Sequence, residues 1–119
     1  MKEFANNKKI IDFNSCQIDD IDASSISLSL KDSKTLEIFQ ISNNDFTDIG
    51  LIDILSNLQW ATCIKELYFG NNDNLTEIGL SALIEVLPVF TNLRILGLNH
   101  CGITDENVIL LSYCLEVFK

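Results

Sequence analysis

His100 is the single histidine of the chain and stands directly before Cys101. A cysteine nucleophile needs a base within hydrogen-bond reach and a third group to orient that base. The pair lies two and three residues after Leu98, which closes an alternating apolar run. Alternation and the turn that must follow place the imidazole at the surface and the thiol inside, so the two are expected to face apart. His100 therefore reads as a surface residue at a binding face. Asp12, Asp45, Asp48, Asp73 and Asp105 are the next candidates, as oxygen ligands for a cation. They are spread along the chain and lack the compact loop that calcium requires. Cys16, Cys63, Cys101 and Cys114 form no close metal-binding pair, and no GxxxxGK[ST] phosphate loop occurs. The expectation is a non-enzymatic protein, with no catalytic residue, metal or cofactor.

The chemistry-bearing residues instead mark a periodicity. Ile64, Leu67, Phe69, Asn72, Leu75, Thr76, Glu77 and Gly79 recur as Leu36, Phe39, Ile41, Asn44, Phe46, Thr47, Asp48 and Gly50. Leu93, Leu96, Leu98, Cys101, Ile103, Thr104 and Asp105 repeat the order, and Ile11, Phe13, Cys16, Ile18, Asp19 and Asp20 form a weaker copy. The anchors at 11, 39, 67 and 96 are 28, 28 and 29 residues apart, and the surplus residue falls between Asn72 and Leu75. Such a period means stacked units that bury a shared core.

Within a unit, Leu67-Tyr68-Phe69 alternates, which predicts a short strand with Leu67 and Phe69 inward and Tyr68 outward. The asparagine after each strand is expected to turn inward and bond backbone groups that the bend leaves unpaired. Cys16 and Cys101 take the same place. Ile26 and Leu30, Ile54 and Leu58, Leu83 and Leu87, and Leu111 and Leu115 are each four apart, which predicts one buried helical stripe per unit. Gly50 and Gly79 at the helix starts are expected to let the helix approach the strand layer.

This pattern resembles the leucine-rich repeat, and within it the ribonuclease-inhibitor-like subfamily with long helical repeats. The resemblance covers residues 8 to 118. It implies an α/β fold: a right-handed solenoid, a short horseshoe arc with four parallel strands on the concave side and helices on the convex side. The chain reads as one domain with repeats at 8–35, 36–63, 64–92 and 93–119. The strands are expected at 10–13, 38–41, 66–69 and 95–98. Residues 20–34 carry both a helical spacing, through Ile21, Ile26 and Leu30, and a strand-like alternation through Leu28. Serine is a mediocre helix former, and the repeat context decides for a helix. Asp48 is placed as the cap of a helix to Leu58, a third helix runs over 77–87 and stops at Pro88, and the last runs from Asp105 to Val117. Trp60 is expected to pack over the rim between repeats, and Phe4 to cap the first repeat.

The chain has 119 residues, is 47% hydrophobic and carries a formal net charge of −9, with 17 acidic against 8 basic side chains. The acidity reads as solubility first, and second as preference for a partner with a basic surface. It argues against nucleic acid or an anionic membrane as unaided partners. No membrane-spanning run or leader is evident. Four reduced, mostly buried cysteines suggest an intracellular, cytoplasmic setting, and a leaderless chain is also compatible with delivery as a bacterial effector. Oligomeric state is open.

A protein-binding face follows from the strand alternation. Outward rows run Ile10, Ile38, Glu66, Ile95; then Asp12, Gln40, Tyr68, Gly97; then Asn14, Ser42, Gly70, Asn99; then Ser15, Asn43, Asn71, His100. Asp12, Ile38, Gln40, Glu66, Tyr68, Asn71, Ile95, Asn99 and His100 are the candidate contacts. Gly70 and Gly97 are expected to leave room beside Tyr68, an aromatic with a polar tip suited to anchoring a partner. Two alternatives stand beside this: an ordinary solvated sheet face, and a structural subunit or fragment of a larger assembly. The latter would contact neighbours through its convex helices or its C-terminal end at Leu110, Val117 or Phe118.

Overall fold

The structure, a computed structural model, describes residues 8–117. Four three-residue strands, β1 (Ile10–Asp12), β2 (Ile38–Gln40), β3 (Glu66–Tyr68) and β4 (Ile95–Gly97), form one parallel sheet in chain order. Each strand leads into a helix: α1 (Asp20–Ser29), α2 (Asp48–Leu58), α3 (Glu77–Val86) and α4 (Asp105–Val117). The register joins residues one repeat apart: Ile10 to Ile38, Glu66 and Ile95, and Asp12 to Gln40, Tyr68 and Gly97. Strands this short cannot stand alone. They persist because Ile11, Phe39 and Leu67 point into the core between sheet and helices. The rings of Phe39 and Phe69 meet there with centroids 6.1 Å apart, an edge-tilted contact favoured by their quadrupoles. The fold class and four parallel strands expected from the spacing are present. The Phe4 cap, the Phe118 contact and the side chains of Cys114, Leu115 and Val117 lie outside the described residues.

The helical stripe holds through Ile26, Leu30, Ile54, Leu58, Leu83 and Leu87, all buried. Residues 20–29 are helical, but Ile21 and Leu28 point to solvent. The serines of α1 explain how a weak helix former is held. Ser27 donates to the carbonyl of Asp53 at 2.5 Å and accepts from Asn57 at 3.0 Å, while Ser29 donates to the carbonyl of Ile26. The first two bonds tie α1 to α2, so tertiary contact overrides propensity.

The helix starts differ from expectation in one respect. Thr47, not Asp48, is the N-cap of α2, and its hydroxyl accepts from the Ile49 N–H; Thr76 serves α3 in the same way. The acid that follows each cap reaches forward to the next repeat. Asp20 accepts from the Thr47 N–H and hydroxyl, both at 2.7 Å, and from the Gly50 N–H at 3.1 Å. Asp48 accepts from the N–H and hydroxyl of Thr76. This also corrects the role of Gly50 and Gly79. A β-carbon at either position would collide with the Asp20 or Asp48 carboxylate, so the close approach is to a neighbouring helix start, not to the strands. Between repeats three and four the clamp changes. Asn107, fully buried, donates to the Ser81 hydroxyl and the Glu77 carbonyl, and accepts from Thr104.

The third helix ends at Val86 and tightens into a 3-10 turn at Leu87–Val89, around Pro88. The extra residue of repeat three is absorbed in the loop before α3. Asp73 and Asn74 are exposed there while Leu75 keeps its buried place, and the β3–β4 register is unbroken.

Candidate protein-interaction face

The face is held in place from beneath by a ladder of side-chain amides. Asn72 is fully buried, accepts from the Asn44 N–H at 2.9 Å, and donates to the carbonyls of Phe69 at 2.6 Å and Ile41 at 3.2 Å. Asn44 accepts from the Cys16 and Ile18 N–H groups at 3.0 and 2.9 Å, and donates to Phe13 and Ile41. Each asparagine therefore satisfies its own strand exit and the preceding one, as the spacing predicts. The Cys101 thiol occupies the same place and donates to the Phe69 carbonyl at 2.9 Å. Burial pushes its pKa up, outweighing N–H donation from Asn72 and Asn71. Cys16 departs from expectation. It is exposed, as is Cys63. Only Cys101 of the three described cysteines is buried, and all three are free.

The residue before each of these positions takes a left-handed backbone. Ser15, Asn43, Asn71 and His100 have φ of 56°, 58°, 57° and 56°. Asparagine and histidine tolerate that region better than most residues. Asn71 and His100 are thus turn formers, set just beyond the strands. His100 is exposed and Cys101 buried, as the alternation requires. A thiol held protonated in the core is a poor nucleophile.

The two outward strand rows assemble as expected. Ile38, Glu66 and Ile95 are neighbours in one row, and Gln40, Tyr68 and Gly97 in the next. A β-carbon on Gly97 would stand 3.0 Å from the Tyr68 ring, so the ring lies along β4 in the space that the glycine leaves. Gly70 does not serve Tyr68; its neighbour is the Asn99 side chain. The Tyr68 hydroxyl donates to Glu66 at 2.6 Å, and this bond, with burial and the carboxylate's charge adding to it, raises the phenol pKa above its ordinary value. Asp12, Asn71, Asn99 and His100 are exposed around this centre, with Ile38 and Gln40 half-buried within it.

The Glu66 carboxylate is engaged on two sides. Besides Tyr68 it faces Arg94 at 4.0 Å. Glu37 stands between Lys65 at 3.3 Å and Lys9 at 4.0 Å. The row at Lys9, Glu37, Lys65 and Arg94 sets one acid between two lysines at the strand entries, with Arg94 as a further base at the fourth. The 28- and 29-residue steps of the repeat contain this row, although nothing in the spacing marks it as a site. Trp60 also departs from expectation. It is 65% exposed instead of packed on the rim, and with Lys31, Asp32, Lys34 and Thr62 it lines an open cavity of about 340 Å³. Among the described residues no cluster of three His, Cys, Asp or Glu is placed to hold a metal, and no helix is long and apolar enough to cross a membrane.

Residues 32–55 and 91–112 match the family model described as leucine-rich repeat. No curated protein matches the chain. A solved structure from Caenorhabditis elegans, a tropomodulin C-terminal domain, is similar with a TM-score of 0.73 and 18% identity, over 98% of this chain and 72% of that one. At that identity the likeness concerns the fold. With the parallel sheet and the strand-helix repeat, it makes the architecture a leucine-rich-repeat solenoid.

Proposed function

We propose that this leucine-rich-repeat protein is a non-enzymatic module that binds a protein partner through its strand-lined face, with Tyr68 at the centre. Leucine-rich-repeat domains generally mediate protein–protein interaction, and the fold alone does not choose the surface. The observation that carries the choice is the register. It sets Ile38, Gln40, Tyr68 and Ile95 on adjacent strands, about 4.8 Å apart, with Tyr68 lying along Gly97. Aromatic anchors flanked by aliphatic side chains are the usual energetic centres of interfaces. Asp12, Glu66, Asn71, Asn99 and His100 supply the polar rim. The acidic balance favours a partner with basic groups, and acts on encounter rate and specificity more than on affinity.

The 28- and 29-residue period with a full helix in each unit supports the ribonuclease-inhibitor-like subfamily. Three free cysteines support an intracellular setting. The test is affinity capture under reducing conditions, followed by titration of the captured partner. Tyr68→Ala should leave the fold intact and weaken binding by about 1–2 kcal/mol. Ile109→Ser and Leu110→Ser, at the exposed side of α4, should leave it unchanged. Loss confined to the α4 changes would move the contact to the C-terminal end and favour the structural-subunit reading.

A further inference from the structure

The charges of this chain are sorted by edge. Every lysine or arginine among residues 8–117 stands before β1 or in a helix-to-strand connection: Lys8, Lys9, Lys31, Lys34, Lys65 and Arg94. The opposite edge runs from each strand's last residue through the first turn of the following helix. It has no lysine or arginine in any repeat, and carries ten of the chain's acidic residues. The sheet face between the edges has its strand-entry acids matched, since Glu37 faces Lys65 and Glu66 faces Arg94. The acidic surplus therefore belongs to the strand-exit edge.

That edge also presents an apolar row. Ile21, Ile49 and Ile78 hold the second position of α1, α2 and α3, and are 79%, 75% and 66% exposed. They sit in equivalent places in three successive repeats, directly after Asp20, Asp48 and Glu77. Scattered exposed isoleucines are ordinary, but a row of them rimmed by one sign of charge marks a contact surface. Their exposure has no packing reason, because the buried stripe of each helix lies elsewhere, at positions such as Leu51, Ile54 and Leu58.

We infer that the strand-exit edge is a second interaction surface, which takes a basic amphipathic helix of a partner protein along the Ile21–Ile49–Ile78 row. The spacing supports that occupant. Adjacent packed helices stand about 8–10 Å apart, and seven residues of a partner helix advance about 10.5 Å. Apolar residues one heptad apart on a helix lying along the row meet the three isoleucines in turn, while lysines or arginines beside them meet the flanking carboxylates. Asp45 and Asp73 are exposed there and suited to that contact. A second copy of this chain is the poorer occupant, since it would set one acidic edge against another.

The experiment titrates the isotope-labelled chain with a synthetic helical peptide of about three heptads, carrying leucine at every seventh residue and lysine on both sides of that seam. A scrambled peptide of the same composition is the control. Amide shifts should concentrate at the starts of α1, α2 and α3. Ile49→Ser, at a solvent-facing site, should keep the melting curve and weaken peptide binding about tenfold or more. Asp45→Asn with Asp73→Asn should reduce the association rate and its salt dependence. Tyr68→Ala should leave peptide binding unchanged, which separates this surface from the sheet face. Equal binding of the scrambled peptide, no effect of Ile49→Ser, shifts confined to β2 and β3, or no binding at all would each overturn the inference.

Discussion

Replacing Asn72 by alanine tests the amide ladder at its best-buried rung. The side chain is fully inaccessible and makes three bonds. They are not equally costly to lose. The Ile41 carbonyl keeps a donor in Asn44 at 3.0 Å, and the Phe69 carbonyl keeps the Cys101 thiol at 2.9 Å. The Asn44 N–H has only the Asn72 oxygen in this geometry. The loss therefore amounts to one orphaned buried donor, about 1–3 kcal/mol, plus two weakened carbonyls. A total of about 2–3 kcal/mol is expected. Urea denaturation should show a lower midpoint at unchanged slope, since the surface exposed on unfolding stays the same. Asn72→Cys supplies a comparison drawn from the chain itself. Cysteine at 101 bonds the preceding strand exit in the same way, so this variant should recover part of the loss. A loss below about 0.5 kcal/mol for Asn72→Ala, or equal losses for alanine and cysteine, would refute the reasoning that hydrogen bonds and not volume hold this position.

Thiol labelling of the native protein should modify Cys16 and Cys63 readily and Cys101 only on unfolding, read by mass after labelling with and without denaturant. Because burial raises the Cys101 pKa in the folded state, its contribution to stability is complete below the unfolded value and should be lost as pH rises through the folded one; Cys101→Ser should alter that alkaline branch. Asp20 behaves in the opposite sense: burial pushes its pKa up, but hydrogen bonds from Thr47 and Gly50 outweigh this and lower it. Its contribution should be present above the unfolded value and lost as pH falls through the folded value, and Asp20→Asn should flatten the acid branch of the stability profile. Gly50→Ala should cost about 1–3 kcal/mol in a thermal or urea melt through collision with the Asp20 carboxylate.

The sequence by itself determined the repeat, the strand register and the inward positions. Each is a consequence of identical spacing, and a solenoid stacks identical positions on one another. Leu67 and Phe69 inward, Tyr68 outward, and the rows through Ile38, Glu66 and Ile95 could all be read without coordinates. The same steps contained the charged row at Lys9, Glu37, Lys65 and Arg94 and the isoleucine row at 21, 49 and 78. They were not legible as sites, because an outward residue next in sequence to a buried stripe looks like any other solvent-facing one. What only the tertiary structure decided concerns the partner of each polar group. Asp48 reads locally as a helix cap, yet Thr47 is the cap and the Asp48 carboxylate accepts from Thr76 of the next repeat. Glu66 reads as one outward acid in its row, yet its carboxylate accepts from Tyr68 and faces Arg94. Cys16 reads as buried by analogy with Cys101, yet it is exposed, whereas Cys101 is buried against the Phe69 carbonyl of the repeat before it. Spacing specifies which residues are equivalent. The neighbours that equivalent residues meet depend on their place in the stack, and hydrogen bonds, ion pairs and burial are all properties of those neighbours.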